Sequence, residues 1–264
     1  MKQNYYFLIL LLFFTQYITA QCSPDLIAPI PDILTLSDVT AECTVTTLVS
    51  PTATDNCSAG VTGTHNATLP ITTQGTTVVT WTYDDGNGNT STQNQNVVID
   101  DVTNPTTPTL STVTGECSAT AITPTTTDNC SSTISGTTTD PLTYNTQGTH
   151  TINWSFDDGN GNVIIVSQNV VIDDVTNPVI PTLSDVTGEC SATATTPSTT
   201  DNCAGSITGT TTDPLTYNTQ GTHTINWSFD DGNGNVIIVP QNVVIDDVTN
   251  PVIPTLSDVT GECS

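Results

Sequence analysis

The sequence repeats itself with a period of about 73 residues, which is in the range of small tandem domains. One cysteine and one tryptophan recur at this spacing, at Cys43, Cys117, Cys190 and Cys263 and at Trp81, Trp154 and Trp227. Residues 117–189 and 190–262 are identical at 66 of 73 positions. Such self-similarity indicates tandem copies of one small domain that all meet the same structural demands. Because active sites seldom occur in tandem copies, the repeat also argues against catalysis.

One stretch of the second copy alternates between apolar and polar residues, which is typical of a strand with one buried face. The expected buried face carries His150, Ile152, Trp154 and Phe156. A turn rich in Asp, Gly and Asn follows at residues 157–162, and Val163–Ile172 is predicted as the return strand. On that strand, the residues expected to face Trp154 are Ile164, Val166, Val170 and Ile172. Shorter strands are predicted at residues 109–113, 118–123, 133–138 and 142–144.

Several short strands without a helical apolar period predict an all-β fold. We expect tandem immunoglobulin-like antiparallel β-sandwich repeats, each with one disulfide. A propeller blade is a poorer alternative, because blades have about 40–45 residues, and a β-helix would need a far shorter period. The predicted division is a signal peptide (1–20), an N-terminal segment (21–32), three repeats (33–104, 105–177 and 178–250) and the start of a truncated fourth (251–264). Because the chain stops at Ser264, just after Cys263, we expect a longer natural protein.

The N-terminus has the layout of a secretory signal peptide. Lys2 precedes an apolar run from Tyr5 to Phe14, and a polar stretch ends at Ala20, where cleavage is expected. The run is shorter than the roughly 20 residues that span a bilayer, which argues against an uncleaved anchor. A lipoprotein linked through Cys22 is disfavoured by Gln21, since a lipobox has a small residue there. The expected location is therefore secreted or at the cell surface, with no membrane span after cleavage.

The charge balance excludes several partners. The sequence has one Lys or Arg, which is Lys2, against 26 acidic residues. A chain without a basic patch cannot hold the phosphates of nucleic acids or anionic membranes. Mobile cations must screen the carboxylates, and a bound divalent cation is the more specific alternative.

The cysteines predict a disulfide framework in an exported chain. Each complete copy holds two of them, and the expected pairs are Cys43 with Cys57, Cys117 with Cys130 and Cys190 with Cys203. A loop of about 14 residues closed in this way gains roughly 3 kcal/mol of stability. Zinc is disfavoured, because the chain has no CxxC pair and no clustered histidines.

The acidic linkers between copies are the expected metal site. Each linker reads Asp-Asp-Val-Thr-Asn-Pro, and the turn Asp-Gly-Asn-Gly-Asn matches only the first half of an EF-hand loop. If the hairpin turn lies where the chain enters its domain, linker and turn carboxylates meet at each junction and could bind calcium. The candidate ligands are Asp100, Asp101, Asn104, Asp157 and Asp158 at one junction, and Asp173, Asp174, Asn177, Asp230 and Asp231 at the next. The alternatives are a plain hairpin turn and a solvated acidic linker.

The stretch Gln74–Asn89 and the return strand Asn96–Ile99 resemble the C-terminal half of a hyalin repeat (HYR domain). That family shows a Gly-Thr-Thr-x-Val-x-Tyr or Trp strand, a turn with Asp and Gly-Asn, and a Val-rich final strand. Many hyalin repeats place a cysteine just after the turn, where this chain has Thr92, Ile165 and Ile238. A related immunoglobulin-like repeat of bacterial surface proteins fits equally well. The resemblance implies an immunoglobulin-like fold and a role in adhesion or extracellular architecture.

The expected function is a non-catalytic extracellular array, such as the spacer or stalk of a bacterial surface protein. No cofactor is expected other than calcium, and the expected partners are neighbouring repeats and an extracellular protein or glycan. The alternative is a carbohydrate-binding or accessory module of a larger secreted enzyme, for which Tyr144 and Tyr217 are the candidate exposed aromatics. No catalytic constellation accompanies the histidines, since the repeat position of His150 and His223 holds Thr77 in the first copy.

Overall fold

The protein is described by a computed structural model that covers residues 24–58 and 60–261. Within these ranges the regular elements are strands, and no helix there is long and apolar enough to cross a membrane. This confirms the predicted all-β class. The predicted signal peptide, Cys22 and Cys263 lie outside the described residues.

The described chain holds three successive sets of seven strands, and the second and third sets correspond strand by strand. The first seven, β1 to β7, are Ile30–Pro31, Val39–Ala41, Thr52–Thr54, Val61–Thr62, Thr64–His65, Gly75–Asp84 and Thr90–Ile99. The next seven, β8 to β14, are Val113–Gly115, Ala119–Thr120, Thr125–Thr126, Ile134–Ser135, Thr143–Tyr144, Gly148–Asp157 and Val163–Ile172. The last seven, β15 to β21, are Val186–Gly188, Ala192–Thr193, Ser198–Asp201, Gly205–Thr208, Thr216–Tyr217, Gly221–Asp230 and Val236–Ile245. Short strands of this number are typical of an immunoglobulin-like sandwich.

A long hairpin dominates each set of seven strands. In the first set, β6 and β7 pair antiparallel over ten residues each, from Gly75 opposite Ile99 to Asp84 opposite Thr90. The alternating pattern puts every second side chain into the core, and Trp154 and Phe156 are buried on β13 as predicted. The predicted hairpin of the second copy is confirmed to within two residues, whereas the short strand β10 was not predicted.

Within the predicted antiparallel sandwich, one strand pair per copy is parallel. Strand β2 pairs parallel with β7, with Val39 opposite Val97 and Ala41 opposite Ile99. Strands β8 with β14 and β15 with β21 pair in the same way. The parallel pairing is possible because more than a dozen residues separate the two strands of each pair along the chain.

Two sheets enclose the core of the first copy. One sheet has the strand order β1-β3-β4 and the other β2-β7-β6-β5. Ala53 and Val61 from the first sheet pack with Trp81, Tyr83 and other apolar residues of the second. An equivalent core in the third copy surrounds Trp227, which is 1% exposed. This is the predicted sandwich, with the tryptophans in its interior.

The chain separates into two compact units. The first holds the chain up to Thr109 together with Thr123–Thr137 and Trp154–Val166. The second holds Leu110–Ile122, Thr138–Asn153 and the chain from Ser167 onward. The first unit contains the linker Asp100–Pro105, and the second contains the linkers Asp173–Pro178 and Asp246–Pro251. The predicted repeat boundaries stay predictions.

Candidate functional site

The disulfides connect successive copies rather than the two cysteines of one copy. Cys43 is bonded to Cys130, and Cys117 is bonded to Cys203, with Cα–Cα distances of 5.0 Å. The predicted pairs Cys43–Cys57, Cys117–Cys130 and Cys190–Cys203 are therefore wrong. Cys190 is a free and exposed thiol, whereas Cys57 is disulfide-bonded.

The predicted disulfides cannot form because the two cysteines of one copy lie at opposite ends of the sandwich. Cys43 follows Ala41, which pairs with Ile99 at the open end of the long hairpin. Cys57 lies at the turn of the same hairpin, where the Ser58 hydroxyl donates to the carbonyl of Asp85 at 3.1 Å. A ten-residue strand spans about 33 Å. A disulfide requires Cα atoms within about 7 Å, so these two cysteines cannot form one.

The two copies also meet through the linker that joins them. We define the second junction as the linker Asp173–Pro178, the loop Asp201–Cys203 and the hairpin turn Asp230–Asn235. The first junction is the corresponding set one copy earlier: Asp100–Pro105, Asp128–Cys130 and Asp157–Asn162. In the first junction, Asn160 Nδ2 donates to Asp101 Oδ2 and Asn162 Nδ2 donates to the Asp101 carbonyl, both at 2.9 Å. Asn233 and Asn235 make the same contacts to Asp174 at 2.9 and 3.0 Å.

The hairpin turn is preorganised for these contacts by its own aspartate. Asp231 Oδ1 accepts hydrogen bonds from the backbone N–H groups of Asn233 and Asn235, at 2.7 and 3.1 Å. Asp231 Oδ2 accepts from the Asn235 side chain at 2.7 Å. Burial raises the pKa of the Asp231 carboxyl, but these hydrogen bonds outweigh it and hold the pKa below its usual value. The carboxyl is thus ionised at neutral pH.

Three buried carboxylates come together at the second junction. Asp174, Asp201 and Asp231 each place one carboxylate oxygen within 4.8 Å of the other two. The three residues are 4%, 8% and 8% exposed. The first junction has a group of Asp101, Asp128 and Cys130, whose sulfur belongs to a disulfide and is therefore not a thiolate ligand. The second junction accordingly holds the all-carboxylate group.

In the loop that holds the second cysteine of each complete copy, one oxygen of an aspartate carboxylate has no hydrogen-bond partner in the described chain. Asp201 Oδ1 accepts from the N–H groups of Cys203 and Ala204, at 2.8 and 2.9 Å. Its second oxygen, Oδ2, is buried with no hydrogen-bond partner in the described chain, and so is Oδ1 of Asp55 and of Asp128. A buried acceptor left unpaired costs roughly 1–3 kcal/mol, and more when it is charged. An oxygen of the equivalent aspartate thus lacks a protein partner in three loops of the described chain.

The structure brings together only part of the predicted calcium-ligand set. Asp101 meets the turn of Asp158, and Asp174 meets Asp231. The carboxylates of Asp157 and Asp230 accept instead from the turn glycines Gly159 and Gly232. The remaining predicted ligands are exposed and lie outside the carboxylate groups found in the described chain, namely Asp100, Asn104, Asp173 and Asn177.

The sequence reasoning missed Asp128 and Asp201. Both belong to the tripeptide Asp-Asn-Cys, which recurs once in every complete copy. Its recurrence beside a cysteine was the available signal, but the wrong disulfide pairing placed this loop away from the linker. With the correct pairing, Asp201 lies at the junction because Cys203 does.

The aromatic side chains that could bind a glycan are largely covered. Trp154 and Trp227 are 1% exposed, as predicted, and Trp81 is also fully buried. Tyr144 and Tyr217 stack on His150 and His223, with ring centroids 4.4 Å apart. One face of each tyrosine is therefore already occupied by an imidazole ring.

Comparison with known proteins gives no family. No protein family and no curated protein matches the chain. Among solved structures, the human desmocollin-1 ectodomain is 10% identical with a TM-score of 0.25, over 86% of this chain and 60% of that chain. Cadherin domains 3–6 of protocadherin gamma B2 are 12% identical with a TM-score of 0.30, over 82% and 73%. A Bacteroides ovatus mixed-linkage glucan protein, SGBP-B with a bound heptasaccharide, is 13% identical with a TM-score of 0.20, over 84% and 71%.

This chain thus spans about 60% of the desmocollin ectodomain. Similarity at this level assigns neither a family nor a function. The junctions between copies are therefore the candidate functional site.

Proposed function

We propose that the chain is a non-catalytic structural array of an extracellular protein, a spacer or stalk whose successive repeats are fixed to one another. The observation that carries this proposal is the disulfide Cys117–Cys203, which joins the second copy to the third. Cys43–Cys130 joins the first copy to the second in the same way. A bridge between copies restricts how one repeat can turn against the next, which is what a stiff spacer requires.

The disulfides support an exported location. Disulfides persist in oxidising compartments and are rare in reducing ones. The proposed location is secreted or at the cell surface, and the proposed partners are neighbouring repeats and an extracellular protein or glycan. Adhesion follows if the array carries a binding domain away from the surface.

The second part of the proposal is that calcium binds to the carboxylates at the junctions. Asp174, Asp201 and Asp231 bring three carboxylates together, and the sequence offers no Lys or Arg beyond Lys2 to neutralise them. Two like charges at 4.8 Å, the upper limit for these oxygens, repel by about 3 kcal/mol at an effective dielectric constant of 20. Hard carboxylate oxygens suit Ca²⁺, which would neutralise the group and give Asp201 Oδ2 a partner. The ion would hold linker, loop and turn together.

The experiment is small-angle X-ray scattering of the exported chain. A stiff array has a fixed maximum dimension, and we expect it to become shorter and more variable in a variant that lacks both bridges (C43S/C130S/C117S/C203S). The control is Cys190→Ser, which removes the free thiol and should change nothing. An unchanged maximum dimension without the bridges would contradict the spacer function.

A further inference from the structure

We infer that the two disulfides form an interlaced covalent path that prevents the chain between Cys43 and Cys203 from lengthening under tension, even when the repeats within it unfold. Cys43–Cys130 closes a sequence separation of 87 and Cys117–Cys203 one of 86. The two closed segments overlap, because Cys117 precedes Cys130 along the chain. This overlap distinguishes the pairing from a row of separate loops.

The overlap shortens the covalent route through the chain. Along the backbone, the route from Cys43 to Cys203 runs through both closed segments in full. Through the disulfides, the route passes from Cys43 to Cys130, back along the short overlap to Cys117, and across to Cys203. The bridges therefore withhold most of the backbone between Cys43 and Cys203 from extension. This result depends only on the pairing and not on whether any repeat is folded.

The extended lengths of the two routes show how far the bridges limit the extension of the chain. The backbone from Cys43 to Cys203, about 160 residues, reaches about 540 Å at roughly 3.4 Å per residue, whereas the overlap of about 13 residues reaches about 45 Å. Unfolding of the segments that the bridges close therefore leaves only this overlap to extend between Cys43 and Cys203. Force passes through the segment Cys117–Cys130, while the long hairpins of the first and second copies lie outside the path.

The same pairing protects the array against a single backbone break. A break between Cys43 and Cys130 leaves the two parts joined by the first bridge, and a break between Cys117 and Cys203 leaves them joined by the second. Every peptide bond from Cys43 to Cys203 lies in at least one of these segments. The proposal that this covalent path limits the extension of the array under tension rests on the proposed spacer function. The path itself depends only on the disulfide pairing.

The test is single-molecule force spectroscopy on the full chain held at its two ends. All variants carry Cys57→Ser, so that the bond of Cys57 does not enter the path. Relative to this background, C43S/C130S and C117S/C203S should each lengthen the fully extended chain by about 20 nm. Removing both pairs should lengthen it by about 50 nm. The joint change exceeds the sum of the single changes because both routes share the segment Cys117–Cys130, and Cys190→Ser should change nothing.

A digest gives a second readout that needs no folded protein. The four glutamates each precede the first cysteine of a copy, at Glu42, Glu116, Glu189 and Glu262. After denaturation and alkylation of free thiols, a Glu-specific protease should leave fragments 43–116, 117–189 and 190–262 joined until a reductant is added.

Separate fragments without reductant, or a total lengthening below about 10 nm, would overturn the inference. Either result can occur while scattering still shows a stiff particle, and a flexible particle can still show the full lengthening. Failure of the covalent path is therefore distinguishable from failure of the spacer function.

Discussion

Glu116 Oε2 accepts a hydrogen bond from Asn202 Nδ2 at 2.7 Å, although the two residues are 86 positions apart. The residues that follow them, Cys117 and Cys203, form the disulfide between the second and third copies. Glu42 and Asn129 repeat this contact beside Cys43–Cys130. The dipeptides Glu-Cys and Asn-Cys thus recognise each other at both junctions, through one hydrogen bond and one covalent bond.

The first prediction concerns this contact. A double-mutant cycle of Glu116→Ala and Asn202→Ala should give a coupling free energy of about 1 kcal/mol, because the hydrogen bond has a charged acceptor but an exposed donor. The measurement is chemical denaturation of the oxidised protein. Glu189→Ala, which removes a carboxylate that accepts from Thr249, is the matched control. A coupling free energy of zero would show that this hydrogen bond adds nothing to the stability of the junction.

The second prediction separates a cation site from a plain acidic group. In a chelator, Asp201→Asn should raise stability by roughly 1–3 kcal/mol, because it removes one of three neighbouring charges and keeps an oxygen for the Cys203 and Ala204 N–H groups. Calcium at about 100 times its Kd should stabilise the wild type by about 2.7 kcal/mol, and the variant much less. Thermal melting with and without calcium measures both effects.

The matched control for Asp201→Asn is Asp247→Asn. Asp247 follows the third copy at the position of Asp174, and its Oδ1 accepts from Thr249 as that of Asp174 accepts from Thr176. It is exposed, so its substitution should leave the calcium effect unchanged. The cation site is refuted by a wild-type melting temperature that calcium does not alter.

The long hairpins and the buried tryptophans were predictable because they depend on local patterns. Alternation along β13 assigns Trp154 to the core without knowledge of any other strand. The disulfide pairing depends instead on where distant segments lie, and the short sequence distance from Cys43 to Cys57 misled the prediction. Asp201 was missed for the same reason, since its partner Asp174 reaches it through a linker whose path the sequence does not specify. The parallel pairing of β2 with β7 is likewise a contact between the two ends of a copy.

The third prediction concerns a buried donor in the core. Trp227 Nε1 donates to Gln241 Oε1 at 2.9 Å, and Trp81 makes the same contact to Gln95. Gln241→Leu should destabilise the third repeat by about 1–3 kcal/mol, because it leaves an indole N–H unpaired in a buried position. Denaturation followed by tryptophan fluorescence measures the change. Asn242→Ala at the neighbouring exposed position should cost less than about 0.5 kcal/mol, and equal losses for the two variants would argue against a specific hydrogen bond.

The fourth prediction is a pH effect at Asp32, whose carboxylate accepts hydrogen bonds from the hydroxyls of Thr52 and Thr54. The Thr52 hydrogen bond, followed by that of Thr54, holds the pKa of Asp32 below its usual value. Since the folded pKa lies below the unfolded one, the resulting stability is fully present above the unfolded pKa and is lost as the pH falls through the folded pKa. The substitutions Thr52→Val and Thr54→Val should therefore raise the pKa of Asp32 and lower stability at neutral pH but not in acid.

NMR titration of the Asp32 carboxyl carbon, together with denaturation at neutral and acidic pH, measures both effects. Thr62→Val on β4, the strand that pairs with Thr52, leaves both donors in place and should not move the titration. If the Asp32 titration is the same in all three variants and in the wild type, the two hydroxyls do not set its pKa. A stability loss that persists in acid would instead assign the role of Thr52 and Thr54 to packing on β3, because a contact between neutral groups does not depend on the ionisation of Asp32.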